Sequence, residues 1–100
     1  MSITSLLELQ LKPDAVDAAL PILHEILGQT RGFDGCHSVT VIQDTTDPTR
    51  FIAVERWESL DHDTAYRRWR DGDGAAALIP LGGLLAGPPK LTVGAHREDV

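Results

Sequence analysis

The stretch Arg50-Phe51-Ile52-Ala53-Val54-Glu55-Arg56-Trp57-Glu58 is apolar on both of its parities. In an extended chain successive side chains alternate between faces, so Phe51, Ala53 and Trp57 point one way while Ile52 and Val54 point the other. A strand patterned in this way belongs to a sheet that is covered on both sides. Immediately before it, Asp44-Thr45-Thr46-Asp47-Pro48-Thr49 is a run of turn formers. Before that run, Cys36 to Gln43 carries Val39, Thr40, Val41 and Ile42, residues that favour a pleated surface. The two segments read as a hairpin with a longer loop.

Outward from the hairpin, Ile3 to Leu11 alternates with Ile3, Ser5, Leu7, Leu9 and Leu11 on one parity, which predicts a first strand. Lys12-Pro13-Asp14 stops it, and Val16, Ala19, Leu20, Leu23, Ile26 and Leu27 follow at helical spacing. Pro21 lies beyond the first turn and predicts a kink or a late start. After the hairpin, Ser59 is a candidate N-cap with Asp61 and Asp63 behind it, and His62, Ala65, Tyr66 and Trp69 share a helical face that ends near Asp71-Gly72. A second helical piece is expected from about Gly74 to Leu85, interrupted by Pro80 and Gly82-Gly83, before a last strand, Lys90 to His96. With right-handed crossovers, β-α-β-β-α-β gives an α+β, ferredoxin-like, four-stranded antiparallel sheet with its helices on one face. The other face needs a cover, and a second copy of the same sheet is the economical one, so a homodimer is expected.

One hundred residues make one domain, residues 1–100, and the 42% apolar share is enough for a packed core. Nine basic residues against fifteen acidic ones, net charge −6, argue against nucleic acid or an anionic membrane as partner. No apolar run approaches a membrane span and the N-terminus lacks the pattern of a signal peptide, so a cytoplasmic protein is expected. The single cysteine, Cys36, permits no internal disulfide and is expected to be a buried small apolar residue. Asp61-His62-Asp63 cannot converge on one ion from neighbouring helical positions, so no metal site is expected. Four of the five aromatic residues, Phe51, Trp57, Tyr66 and Trp69, fall between positions 51 and 69.

Several motifs look familiar together: Lys12-Pro13, Thr30-Arg31 followed by Gly35-Cys36, Asp47-Pro48-Thr49-Arg50-Phe51, Val54-Glu55-Arg56-Trp57-Glu58-Ser59, Trp69-Arg70 and Leu84-Leu85-Ala86-Gly87-Pro88-Pro89. The run resembles the antibiotic biosynthesis monooxygenase (ABM) domain family. That resemblance implies a dimeric α+β barrel and cofactor-independent oxygenation of phenols, hydroquinones or polyketide-type anthrones. It equally admits isomerases, cyclases or ligand-binding dimers on the same scaffold. The haem-degrading branch places an asparagine on strand one and a Trp and His on helix two. This sequence has no asparagine, and Leu7 stands where that residue would be.

Oxygenation without a cofactor needs an apolar cavity, a base, and a place for negative charge on the substrate that is to meet dioxygen. Leu7, Trp57, Tyr66 and Trp69 are the expected walls, with Trp57 placed nearest the chemistry. His37, on the parity of Val39 and Val41, and His62, on the stripe of Tyr66 and Trp69, are the expected bases because imidazole titrates near neutrality. Glu55 shares a face with Trp57 and is expected either to contact a small aromatic substrate or to pair with Arg31, Arg50 or an arginine of a second subunit. Arg67, Arg68 and Arg70 read most simply as a solvated helical face, or, with one of them at the pocket mouth, as a hold on an anionic substrate.

Overall fold

The computed structural model describes residues 2–100. Strands β1 (Ile3–Gln10), β2 (Cys36–Gln43), β3 (Arg50–Trp57) and β4 (Lys90–Ala95) form one antiparallel sheet in the order β2-β3-β1-β4. Helix α1 (Val16–Arg31) links β1 to β2, and α2 (Leu60–Asp71) follows β3. This is the ferredoxin-like α+β arrangement expected from the order of elements. No helix among the described residues is long and apolar enough to cross a membrane.

Strand β3 sits between β1 and β2, so both of its edges are hydrogen-bonded. Its Phe51, Ala53, Glu55 and Trp57 are buried beneath the helices, in register with Leu9, Leu7, Ser5 and Ile3 of β1. The opposite parity, Ile52 and Val54, lies on the outer face beside Leu6 and Ile42, which remain 37% and 48% exposed. Leu9, Leu11, Ala19, Leu23, Ile26, Phe51 and Leu81 form the main core, each large member contributing about 1.5–3 kcal/mol by burial.

Two local expectations are corrected, the late start of the first helix and the length of the piece after Gly74. Helix α1 starts at Val16 and runs through Pro21, so the proline does not delay it; Pro21 is exposed, where the lost hydrogen bond is open to water. The piece expected from Gly74 to Leu85 is shorter: a 3-10 turn at Ala76–Leu78 leads into a single-turn helix, α3 (Ile79–Gly82). Pro80 does not interrupt that helix but lies in its first turn, where no backbone donor is needed.

Candidate functional site

The N-cap of α2 determines which side chains look at the sheet. Ser59 Oγ accepts from the backbone N–H of His62 at 3.2 Å, and Asp61 and Asp63 stand at the positive end of the helix dipole. From that start the buried positions are Asp63, Tyr66 and Arg70, with Arg67 half-buried between them, while Ala65 is exposed. The expected stripe His62, Ala65, Tyr66 and Trp69 is therefore rotated by about one residue, roughly 100° about the axis. As a further correction, Arg67 and Arg70 are not part of a solvated face; only Arg68 points to solvent.

The inward charges of α2 meet Glu55 of β3. Glu55 is 1% and Asp63 3% exposed. Arg67 Nη2 donates to Glu55 Oε1 at 2.7 Å and to Asp63 Oδ1 at 2.9 Å. Ser5, opposite Glu55 in the sheet, donates its hydroxyl to Asp63 Oδ1 at 2.8 Å, and Trp57 Nε1 donates to Glu55 Oε1 at 3.3 Å. Burial works against the Arg67 charge, but the Glu55 and Asp63 carboxylates outweigh it and hold the guanidinium above its usual pKa. The ion pair expected for Glu55 is thus made within the subunit and with a different arginine. Arg31 instead donates to the Val39 carbonyl, and Arg50 pairs with Glu8 and Asp44.

A second buried set lies beside the first. Arg70 donates from Nε to the Tyr66 hydroxyl at 2.7 Å, from Nη1 to Gln29 Oε1 and the Gly74 carbonyl, and from Nη2 to the Ile26 carbonyl. Thr30 Oγ1, fully buried, donates to the Ile26 carbonyl and so accepts from the Tyr66 hydroxyl at 2.6 Å. Every acceptor around Arg70 is neutral. Its charge is held by dipoles and by the Trp69 and Tyr66 rings, whose centroids lie 4.6 and 5.2 Å from the guanidinium carbon.

These groups flank a cavity of about 330 Å³ between the sheet and the helices. Leu7, Leu23, Ile26, Leu81 and Leu91 supply much of its apolar wall, and Glu55, Tyr66, Arg67 and Arg70 are its polar members. Of the residues expected to line a substrate pocket, Leu7, Glu55 and Tyr66 do so. Trp57 and Trp69 do not; they pack with Phe33 and Tyr66 as core, Trp57 being 1% exposed. The fifth aromatic residue, Phe33, joins this cluster, whereas Phe51 belongs to the other core.

Neither expected histidine base is brought to the cavity. Cys36 pairs with Trp57 and Ser38 with Arg56, so a β-bulge leaves His37 as the extra residue and breaks its alternation with Val39. His37 is exposed, beside a shallow hollow with Ser2, Ser38, Arg56 and Trp57. The His62 ring lies over Gly35, with Nδ1 2.6 Å from Ser59 Oγ and Nε2 3.6–3.7 Å from Glu58 and Asp34. Gly35 adopts φ +84°, and a Cβ there would stand 2.2 Å from His62 Cδ2. Cys36 is half-buried, and burial together with the Glu55 charge pushes its thiol up. Among the described residues no group of three His, Cys, Asp or Glu side chains is placed to hold a metal ion.

A ferredoxin-like α+β domain with an apolar cavity between sheet and helices is the class these features define. The family profile for antibiotic biosynthesis monooxygenase matches residues 2–80, and the chain belongs to that family. Its fold is shared by a Nitrosomonas europaea protein bearing the same family's name, at TM-score 0.84 and 16% identity over 98% of this chain and 92% of that one. Rv0793 from Mycobacterium tuberculosis superposes at TM-score 0.78 with 23% identity, covering 99% and 98% of the two chains. A conserved protein from Methanosarcina mazei reaches TM-score 0.83 at 16% identity, with 97% and 94% covered. No curated protein matches the sequence.

Proposed function

We propose that this protein is a cofactor-independent monooxygenase of a small electron-rich aromatic compound, a phenol, hydroquinone or polyketide-type anthrone, and that it works in the cytoplasm as a homodimer. The observation that carries the reading is the apolar cavity with Glu55, Arg67 and Arg70 as the charged groups of its wall. A volume of about 330 Å³ is at the small end of ligand sites and suits about two to three fused rings. An apolar wall favours the flat hydrocarbon body, and the guanidinium groups of Arg67 and Arg70 in that wall offer positive charge to a deprotonated oxygen or carbon.

The overall reaction balances without an added reductant. A ring methylene, R₂CH₂, and O₂ give R₂C=O and H₂O, the substrate supplying all the electrons. Dioxygen consumption by the purified protein with 1,8-dihydroxyanthrone, and appearance of the quinone with one oxygen atom from ¹⁸O₂, test the reading. Tight binding with no oxygen uptake would replace it by a ligand-binding or isomerase role on the same fold.

The homodimer rests on the outer face of the sheet, where Leu6, Ile42, Ile52 and Val54 are adjacent in register and have no helix over them. A second copy, related by a two-fold axis, matches an apolar centre to an apolar centre.

A further inference from the structure

We propose that Glu55 is the proton acceptor that turns the substrate into its reactive anion, with Arg67 and Asp63 positioning it and Arg70 supplying the counter-charge; this rests on the oxygenase reading above. The cavity wall itself leaves few alternatives. Its titratable members are Glu55, Tyr66, Arg67 and Arg70. Both arginines are donors only. The Tyr66 hydroxyl has its donor and acceptor roles taken, accepting from Arg70 and donating to Thr30. Glu55 is the wall's one free acceptor of a proton.

The two oxygens of Glu55 are not equivalent. Oε1 accepts from both Arg67 and Trp57, which pins the carboxylate from behind. Oε2 accepts no hydrogen bond among the described residues. Among the described residues, the only side-chain nitrogen or oxygen both sealed from solvent and unpartnered is Arg67 Nε, so Oε2 is not wholly sealed even though Glu55 is only 1% exposed, and Glu55 lines the cavity. A carboxylate held rigidly through one oxygen and presented through the other is a preorganised base.

The charges around it favour transfer. Arg67 serves two carboxylates through one nitrogen, so Glu55, Asp63 and Arg67 together carry one surplus negative charge. Arg70, across the Tyr66 ring, carries a positive charge with no carboxylate partner. When a substrate C–H or O–H bond breaks, its electron pair stays on the substrate and the proton bonds to Glu55 Oε2. Asp63 then holds Arg67 alone, the new anion has Arg70 as counter-charge, and the total charge of the cavity is unchanged. One electron passes from the anion to O₂, the radical pair joins as a peroxide, and Glu55 returns its proton to give the hydroperoxide. Loss of water from R₂CHOOH yields the ketone.

Proton removal can be read without oxygen. Under anaerobic conditions in D₂O, the native protein is expected to accelerate hydrogen exchange at C10 of 1,8-dihydroxyanthrone, followed by NMR. Glu55→Gln is expected to lower that rate at least about 100-fold while still binding the compound by calorimetry. Asp63→Asn, which removes the other carboxylate held by Arg67 and leaves the Glu55–Arg67 pair intact, serves as the structural control and is expected to lose less than about 10-fold. Equal losses in the two variants, exchange undiminished in Glu55→Gln, or no acceleration by the native protein would each overturn the assignment. Exchange without oxygen uptake would leave Glu55 as base and remove the oxygenase reading. Oxygen uptake undiminished in Glu55→Gln would do the reverse.

Discussion

Arg67 Nη2, on helix α2, lies 2.7 Å from Oε1 of Glu55, a carboxylate on strand β3 that is only 1% exposed. The same nitrogen holds Asp63, so this one side chain compensates two buried anions. Arg67→Met keeps the apolar stem but strands both carboxylates. Breaking a buried pair by removing one partner costs about 3–5 kcal/mol, and the partial exposure of Arg67 places the loss near the lower figure, about 3 kcal/mol. For a domain of this size that corresponds to roughly 12–24 °C in Tm, measurable by differential scanning calorimetry. Introducing Arg67→Met into a Glu55→Gln/Asp63→Asn background should cost about 1 kcal/mol, because no buried charge is then left uncompensated.

The architecture was legible because the two central strands announce themselves by parity: Phe51, Ala53 and Trp57 face the helices as alternation requires, and Ile3, Ser5 and Leu9 do the same in β1. The site was legible only in part. Leu7, Glu55 and Tyr66 follow from strand parity and helical spacing and do line the cavity. His37 was misplaced because a bulge, which no composition signal marks, shifts the parity of everything before Ser38. Asp63, Arg67 and Arg70 were missed as a buried set because charged residues on a helix are ordinarily solvated; their spacing of four and three, opposite Glu55 on a buried strand parity, was the available signal. Trp57, Tyr66 and Trp69 marked a core cluster rather than a pocket wall made of rings, since they pack edge to face or tilted against Phe33 and one another and leave little ring surface for a ligand.

Gly35 and His62 should behave as a lock between the β2 entry and α2. Gly35→Ala combines a left-handed backbone with a Cβ 2.2 Å from the imidazole, and we expect a loss of about 2–3 kcal/mol in urea unfolding. Adding His62→Ala removes the overlap with the ring, and the His62→Ala single variant accounts for the loss of the ring's contact with Ser59 Oγ. The double variant should recover the overlap but retain about 1 kcal/mol of backbone strain.

The β2–β3 turn should weaken in acid. Asp44 is held below the usual carboxylate range by the Thr46 amide and hydroxyl, and Asp47 by the Thr49 hydroxyl and amide. A depressed folded value means the contribution is fully present above the ordinary aspartate pKa, about 3.9, and is lost as pH falls through the lower folded values. The Thr46 and Thr49 amide resonances should therefore titrate together below pH 4, and Asp44→Asn should abolish the transition at Thr46.

The outer sheet face makes the dimer directly testable. Ile52 and Val54 lie on the opposite parity from the cavity-lining Glu55, so a charge placed there does not enter the core. Val54→Glu should convert the protein to monomer in sedimentation velocity at micromolar concentration while leaving its circular dichroism unchanged. A native protein that sediments as a monomer would remove the homodimer.

Cys36 offers a reporter on the charge of Glu55 in the resting protein. Burial is the main reason its thiol lies above the usual value, and the negative charge of Glu55 is the next. Glu55→Gln deletes that second contribution without changing the volume of the side chain, so the thiol should become more acidic. The pH profile of iodoacetamide alkylation is the measurement, and its midpoint should move to lower pH in the variant. Asp63→Asn, which leaves the Glu55–Arg67 pair intact, should move it less. An unchanged midpoint in Glu55→Gln would mean that Glu55 already carries its proton at rest, and a carboxyl group already protonated has no capacity to take one from a substrate.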